Sequence, residues 1–190
     1  ALLQHSIERF EPLEMNLEAA WTRVELAKVI AALRPGDPQL DSLLSEADRV
    51  FASQTQVAGQ AAVALARAEH AMNTGHFDPA REQAAGAEAA FRKLGMAAHQ
   101  IRAEVLLAEC DCHCGRLSEA RGTFARLLAS AHEQRLQSVE LRALTQLGYI
   151  ATREHDLDGA RHHFECAVSI VEEQRDRLGG DELRRSFLTA

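Results

Sequence analysis

The chain has 190 residues, a formal net charge of −7 and 46% hydrophobic residues, with four prolines and 5% aromatic residues. Few prolines, together with abundant Ala, Leu, Glu, Gln and Arg, favour an all-α protein. Phosphate contacts need clustered Lys and Arg, so this acidic chain is not expected to bind nucleic acid. No apolar run approaches the roughly 20 residues that span a bilayer, so we expect no membrane partner and a cytoplasmic location.

The predicted elements begin with residues 1–16, which start within an apolar pattern and are interpreted as the truncated end of a preceding repeat or connecting helix. Next comes the helical stretch "NLEAAWTRVELAKVIAAL", which the break "RPGDPQL" ends. The following helix carries Ala47 and Phe51, about seven residues further from the turn than the same Ala-x3-Phe spacing in later segments. We therefore predict a divergent hairpin at 17–60 whose second helix is two turns longer.

An internal repeat organises the next part of the chain, because an Ala-Arg pair recurs every forty residues. The pairs are Ala80-Arg81, Ala120-Arg121 and Ala160-Arg161. Each forty-residue row contains an apolar helix, a polar turn and a second apolar helix. The rows predict helical hairpins at 61–100, 101–140 and 141–175.

The turns of these hairpins carry recognisable signals. Gly75 and Gly115 are predicted to adopt the left-handed conformation that ends a helix, and His155 replaces them in the third row. Asp78, placed before a proline, is expected to cap the following helix, and Asp156 and Asp158 serve as candidate caps in the third row.

The hairpin interiors follow from the same alignment. Close approach of the two helices in the third row is predicted at Leu147, Gly148, Ala160, Phe164 and Ala167. Phe124 and Phe164 should each be buried between their own first helix and the next hairpin. Ala84 replaces the aromatic residue in the first row, so that hairpin is predicted to pack with less volume.

This arrangement resembles the tetratricopeptide repeat (TPR), and Leu147-Gly148-Tyr149 followed by Ala160, Phe164 and Ala167 is the best match. The resemblance covers residues 17–175 and has a forty-residue period. It implies an all-α, right-handed solenoid of about four antiparallel helical hairpins. It also implies a non-catalytic scaffold or sensing module that binds a protein or peptide segment in the concave groove formed by the first helices.

The residues expected to project into that groove come from the first helix of each row. They are Ala62, Leu65, Glu69, Met72 and Asn73, then Arg102, Val105, Glu109, Cys112 and His113, then Arg142, Thr145, Tyr149, Thr152 and Arg153. The set is apolar toward the first row and basic toward the third, with Glu109 opposing the arginines, and this predicts an acidic or mixed partner segment. A generic solvated face is the alternative.

A second resemblance concerns the tail, "SIVEEQRDRLGGDELRRSFL" at residues 169–188. It is similar to the connector that joins such arrays to a CHAT domain, a caspase-like peptidase domain of bacterial proteins. The resemblance implies a connector helix at 176–190 leading to a downstream domain in a larger bacterial protein. Leu183, Phe187 and Leu188 form an apolar stripe that we expect to dock on that domain, to pack back on the last hairpin, or to pair two copies into a homodimer.

A competing interpretation is a metal- or thiol-redox-sensing domain centred on Cys110–Cys114, since thiolates and imidazoles bind soft metals. On a helix only Cys110 and Cys114 share a face, which favours free thiols that pack as small apolar groups. Adjacent His162 and His163, near Cys166, are interpreted as solvated helix-surface residues. No set of nucleophile, base and orienting group stands out, so this segment is not predicted to be an enzyme or to need a cofactor.

Overall fold

The computed structural model describes residues 2–34 and 36–177. Within that part of the chain the elements are helices, and no strand is present. They are α1 (Leu2–Phe10), a 3₁₀ helix (Glu11–Leu13), α2 (Asn16–Leu33), α3 (Gln39–Ser53), α4 (Val57–Asn73), α5 (Phe77–Lys93), α6 (Ala97–His113), α7 (Leu117–Gln134), α8 (Gln137–Arg153) and α9 (Leu157–Asp176). The predicted all-α class is confirmed. The stripe of Leu183, Phe187 and Leu188 and the rest of 178–190 lie outside the described residues.

Twenty residues, half the length of the sequence repeat, separate the starts of successive helices from α4 to α9. Two residues before each start lies a residue with positive φ. These residues are Thr55, Gly75, Gly95, Gly115, Arg135 and His155. The left-handed conformation predicted for Gly75 and Gly115 is therefore confirmed, with φ of 80° and 77°. Because each helix starts directly after its turn, α4, α6 and α8 begin four residues before the predicted hairpin starts at 61, 101 and 141.

The helix caps follow the prediction at one turn and depart from it at another. The Asp156 carboxylate accepts a hydrogen bond from the Gly159 N–H at 2.9 Å and caps α9. Asp78 does not cap α5, because that helix already begins at Phe77. Asp78 and Pro79 lie instead in its first turn, where the missing proline N–H has no intrahelical acceptor to lose.

The chain forms two compact units, Ala1–Gly115 and Arg116–Ala190. In the first unit α2 packs on α3, α4 packs on α2, α3 and α5, and α5 packs on α6. Its fully buried side chains include Leu44, Phe51, Val63 and Phe91.

Two predictions about the first unit are wrong. Helix α3 has 15 residues and is shorter than α5, which has 17, so the second helix of the first hairpin is not two turns longer. The apolar positions of α3 and α5 instead share one register, in which Phe51 and Phe91 occupy equivalent late positions. Phe91 is fully buried and supplies the volume that Ala84 does not, so the 61–100 hairpin is not underfilled.

In the second unit α8 packs on α7 on one side and on α9 on the other. Leu147, Gly148, Ala160 and Ala167 are buried where the two helices of the last hairpin meet, as predicted. Phe124 is also fully buried.

Phe164, in contrast, is only half-buried, which corrects the expectation that a following hairpin covers it. Its ring lies against Gly148, and the Tyr149 ring meets it edge-on with centroids 5.5 Å apart. Helix α9 is the last helix among the described residues, and in that part of the chain no later helix covers this side of the ring.

Candidate functional site

A groove of about 780 Å³ opens in the second unit, where α7 and α9 flank α8. Apolar side chains from α7 and α8 form its floor, including Leu128, Leu144, Leu147 and Ala151. The small residues Ala125 and Ala129 of α7, both exposed, keep the groove open at one wall. The remaining lining residues are Arg121, His132, Glu133, Glu140, Asp156, His162, His163 and Cys166. This shape and lining suit the apolar side of a peptide or helix.

Polar side-chain pairs border the groove at both ends of α8. Arg121 of α7 forms an ion pair with Glu154, just after α8. At the opposite end, His132 Nδ1 lies 2.9 Å from Glu140 Oε1. These pairs join α7 to the two ends of α8 and leave the apolar floor between them.

His163 lines the groove with an unsatisfied nitrogen. Its Nδ1 atom is buried and has no hydrogen-bond partner among the described residues, whereas neighbouring His162 is exposed. Burial, followed by the nearby His162, lowers the pKa of His163, so its imidazole is neutral at neutral pH. The expectation that both histidines are solvated is wrong for His163, because its ring faces the groove wall.

The groove residues predicted on α4 and α6 are largely not exposed. Leu65, Val105 and Glu109 are only 2%, 5% and 5% exposed. Ala62 is also buried, because these helices are covered on several sides rather than on one.

Arg102 is exposed, but its Nη2 lies 2.6 Å from Glu69 Oε1. Glu109 is therefore not the only carboxylate that opposes the predicted basic set. Ala62, Leu65, Val105 and Glu109 therefore belong to the buried part of the unit, and Glu69 and Arg102 form an ion pair with each other.

The other predicted residues of the first unit lie at the ends of α4 and α6. Met72 is half-buried and accepts a weak hydrogen bond from the Cys110 thiol, with the sulfur atoms 3.8 Å apart. Asn73 is exposed. His113 is exposed at one edge and stacks on Phe77 with ring centroids 4.2 Å apart, while Cys112 is half-buried.

The predicted residues of α8 form the most exposed part of the set. Arg142, Tyr149, Thr152 and Arg153 are exposed, and Tyr149 has 58% of its surface accessible. Thr145 is half-buried, and its hydroxyl donates to the Leu141 carbonyl of the same helix. This side of α8 therefore remains a candidate contact surface.

The cysteine cluster at the end of α6 is mostly withdrawn from solvent. Cys110 is fully buried, and burial, followed by the neighbouring Cys114 and Glu109, raises its pKa to about 12. The Cys114 thiol points to Asp78 Oδ1 at 3.4 Å. Thiolates rather than thiols act as nucleophiles and metal ligands, so Cys110 is an inert packing group at neutral pH. No group of three or more metal-ligating side chains was found among the described residues.

Sequence reasoning missed the groove and interpreted His163 as a solvated surface residue. The signal available was the apolar Leu128 of α7, which recurs forty residues later as Val168 and does not belong to the Ala-x3-Phe pattern. Extra apolar positions of this kind mark a second contact face on a helix.

No family model matches the chain, and no curated protein matches its sequence. The fold is similar to that of a solved structure, the nearly identical TPR-like repeats of a putative kinesin light chain from Podospora anserina. The TM-score is 0.55 at 17% identity, over 91% of this chain and 95% of that one. This likeness shows a TPR-like repeat fold. Among the described residues, none of the helices has the length and apolar character needed to span a bilayer.

Proposed function

We propose that this chain is a non-catalytic protein-interaction module that binds a partner segment in the groove between α7 and α9. The observation that carries the proposal is the open apolar floor of that groove, bordered by an ion pair at one end of α8 and a histidine–carboxylate contact at the other. TPR-like repeats generally mediate protein–protein interaction, which supports the assignment. An amphipathic segment with an aliphatic anchor fits, because the floor supplies burial and the rim supplies polar contacts.

Filling the groove tests this proposal. Ala129 is exposed on its α7 wall, so Ala129→Arg adds bulk without disturbing the core. We expect the dissociation constant for a partner captured with the wild-type chain to rise at least about tenfold, a loss of about 1.4 kcal/mol. The matched control is Ala98→Arg on the exposed side of α6, which should bind normally. Equal affinities for both variants would exclude the groove as the binding site.

The predicted first-helix surface is a second candidate, supported by the exposure of Arg142, Tyr149 and Arg153 on α8. It would suit a segment with carboxylates, which pair with arginine through two hydrogen bonds. Reversing Arg142 and Arg153 to Glu should then weaken binding at low salt by well over the roughly 1 kcal/mol of one surface pair, with little change in melting temperature. Retained binding by this double variant, with loss in Ala129→Arg, would assign the partner to the α7–α9 groove.

The resemblance of residues 169–188 supports a wider context. We propose that the module belongs to a larger, cytoplasmic bacterial protein and precedes a CHAT peptidase domain, which the full-length gene sequence would test. The competing function, metal or thiol sensing at Cys110–Cys114, would be favoured by stoichiometric zinc that is lost when Cys110 and Cys114 are both replaced by serine. The buried, protonated Cys110 argues against it.

A further inference from the structure

The contact between the second helix of one hairpin and the first helix of the next differs between the two units. Asp48 of α3 and Arg67 of α4 form an ion pair in which Oδ2 and Nη1 lie 3.0 Å apart, and both side chains remain partly exposed. The starts of α4 and α8 are eighty residues apart, and so are the turns before them, which makes the two sites equivalent in the repeat. At the equivalent positions α7 and α8 carry Leu128 and Leu147, which form part of the groove floor.

Packing between these helices does not require a leucine at this site. In α3 the place of Leu128 is taken by Asp48, with its ion pair to α4. In α5 it is taken by Glu88, which accepts a hydrogen bond from Gln100 of α6 at 3.2 Å. Leu128 is only half-buried, so part of its apolar surface remains in water. Because the repeat itself does not account for that surface, it is typical of a contact site for another molecule.

The charges around this floor are mostly negative. The carboxylates among the lining residues are Glu133, Glu140 and Asp156, and the single Lys or Arg among them is Arg121. The Arg121 guanidinium already pairs with Glu154. Glu133 is exposed and forms no ion pair within residues 2–34 and 36–177. The groove therefore presents an apolar floor under an acidic rim, which complements a cationic partner rather than an anionic one.

The walls of the groove favour a helical partner over an extended one. Helices α7 and α9 both pack on α8, and the backbone N–H and C=O groups of a helix are bonded within it. An extended segment on the floor would bury its own backbone polar groups without partners, whereas a helix satisfies them internally. The groove follows α7 from Arg121 to His132, a distance that corresponds to about three helical turns.

We propose that the segment bound in this groove is a cationic amphipathic helix of about three turns. Its aliphatic side chains, one turn apart, cover Leu128 and Leu144, and its lysine or arginine side chains pair with Glu133 and Glu140. Its binding there rests on the proposed function of the groove as the contact site. The apolar floor attracts any amphipathic helix, so the acidic rim is what selects among such helices.

A display library of helical peptides, selected on the full chain, tests this partner chemistry. Each peptide carries leucine at i, i+4 and i+7, and the flanking positions vary among Lys, Glu and Ala. The most enriched peptide is then synthesised and titrated by fluorescence anisotropy against wild type, Leu128→Asn, Glu133→Lys and Glu172→Lys. Leu128→Asn makes the floor polar without adding charge or much volume. Glu172→Lys is the matched control, because Glu172 is exposed near the end of α9 and does not line the groove.

We expect lysine to be enriched over glutamate at the flanking positions. The dissociation constant should rise at least about tenfold in Leu128→Asn and in Glu133→Lys, and should not change in Glu172→Lys. The loss in Glu133→Lys should shrink as salt is added, because salt screens exposed charges.

The possible failures separate the partner class from the groove itself. Enriched glutamate peptides that lose binding in Leu128→Asn would overturn the cationic partner and leave the groove as the binding site. Equal affinities of Glu133→Lys and Glu172→Lys would also overturn the cationic partner. Peptides that bind Leu128→Asn as well as wild type, or a library without enrichment, would overturn the proposed function together with this inference.

Discussion

The two units differ in where the buried aromatic residue lies along the second helix of a hairpin. In the first unit the ring is late: Phe91 lies fourteen residues after the start of α5. In the second unit Phe124 lies seven residues after the start of α7, two helical turns earlier relative to its helix. Both rings are fully buried, so one repeat pattern accommodates two ways of filling its interior.

The partner of the ring changes with its position. Phe51 lies against Gly59 of α4, and Phe91 lies beside His99 of α6, so a late ring contacts the next helix along the chain. Phe51 also contacts Trp21 of α2, in its own hairpin. Phe164 lies against Gly148 of α8, so this early ring contacts the first helix of its own hairpin. A late aromatic residue therefore reaches the next hairpin, whereas the early Phe164 contacts the first helix of its own hairpin.

Moving the buried phenylalanine ring of α5 to the early position should have the largest effect on stability. Phe91→Ala should lower the free energy of unfolding by about 3 to 5 kcal/mol, because it empties a fully buried ring site. Adding Ala84→Phe, which puts the ring at the early position, should not restore stability. Ala84 is itself fully buried, so the early site in α5 has no room for a ring. Urea denaturation of the single and double variants measures this, and recovery in the double variant would contradict the distinction between early and late rings.

The glycines that face the rings should show the next largest effects. A Cβ added at Gly59 would overlap the Phe51 ring, which is fully buried and has no space to move into. We expect Gly59→Ala to destabilise by about 1 to 3 kcal/mol through overpacking. Gly148→Ala should cost less, although its Cβ would lie 2.6 Å from Phe164 Cε1, because that ring is half-exposed and can shift outward. Melting curves of both variants, with exposed Gly86→Ala as the control that should gain helix stability, test the order.

Two arginines of the Ala-Arg repeat, Arg81 and Arg121, should contribute different amounts to stability, because the carboxylates that they bind differ in exposure. Arg81→Ala leaves Asp111 without this guanidinium while its side chain is only 7% exposed, and we expect a loss of about 1 to 2 kcal/mol. Arg121→Ala should cost at most about 1 kcal/mol, since the Glu154 side chain is 33% exposed and water can solvate it. Thermal unfolding at low and high salt checks both values, and an equal loss would mean that burial of the carboxylate does not set the cost.

The smallest effect concerns the thiols and appears only at alkaline pH. Burial raises the pKa of Cys110 from 9.0 to about 12, so the folded chain keeps this proton after the unfolded chain has released it. The resulting stability is present below about pH 9 and is lost as pH rises toward about 12. Wild type should thus lose more stability over that range than Cys110→Ala. At pH 8, iodoacetamide should modify half-buried Cys166 long before Cys110, and mass spectrometry of the labelled peptides gives the order.

Most helices and turns could be predicted from the sequence, because they depend on contacts between residues that are close together in the chain. Gly75 and Gly115 end helices through their left-handed conformation, and Asp156 caps α9 through a contact three residues away. The same local reasoning failed for Asp78, where the helix starts one residue earlier. It also misread Ala47 and Phe51 as evidence of a longer helix, because spacing within one helix does not reveal which neighbour a ring contacts.

By itself the sequence determined the helices, their turns and the repeat that spaces them, since backbone hydrogen bonding and helical periodicity act over a few residues. Only the tertiary structure decided which sides of those helices are covered. Leu65, Val105 and Glu109 were expected in an open groove and are buried, while the actual groove lies between α7 and α9. Burial depends on neighbours some forty residues away in the chain, so the pattern of one helix leaves open which of its faces a neighbour will cover.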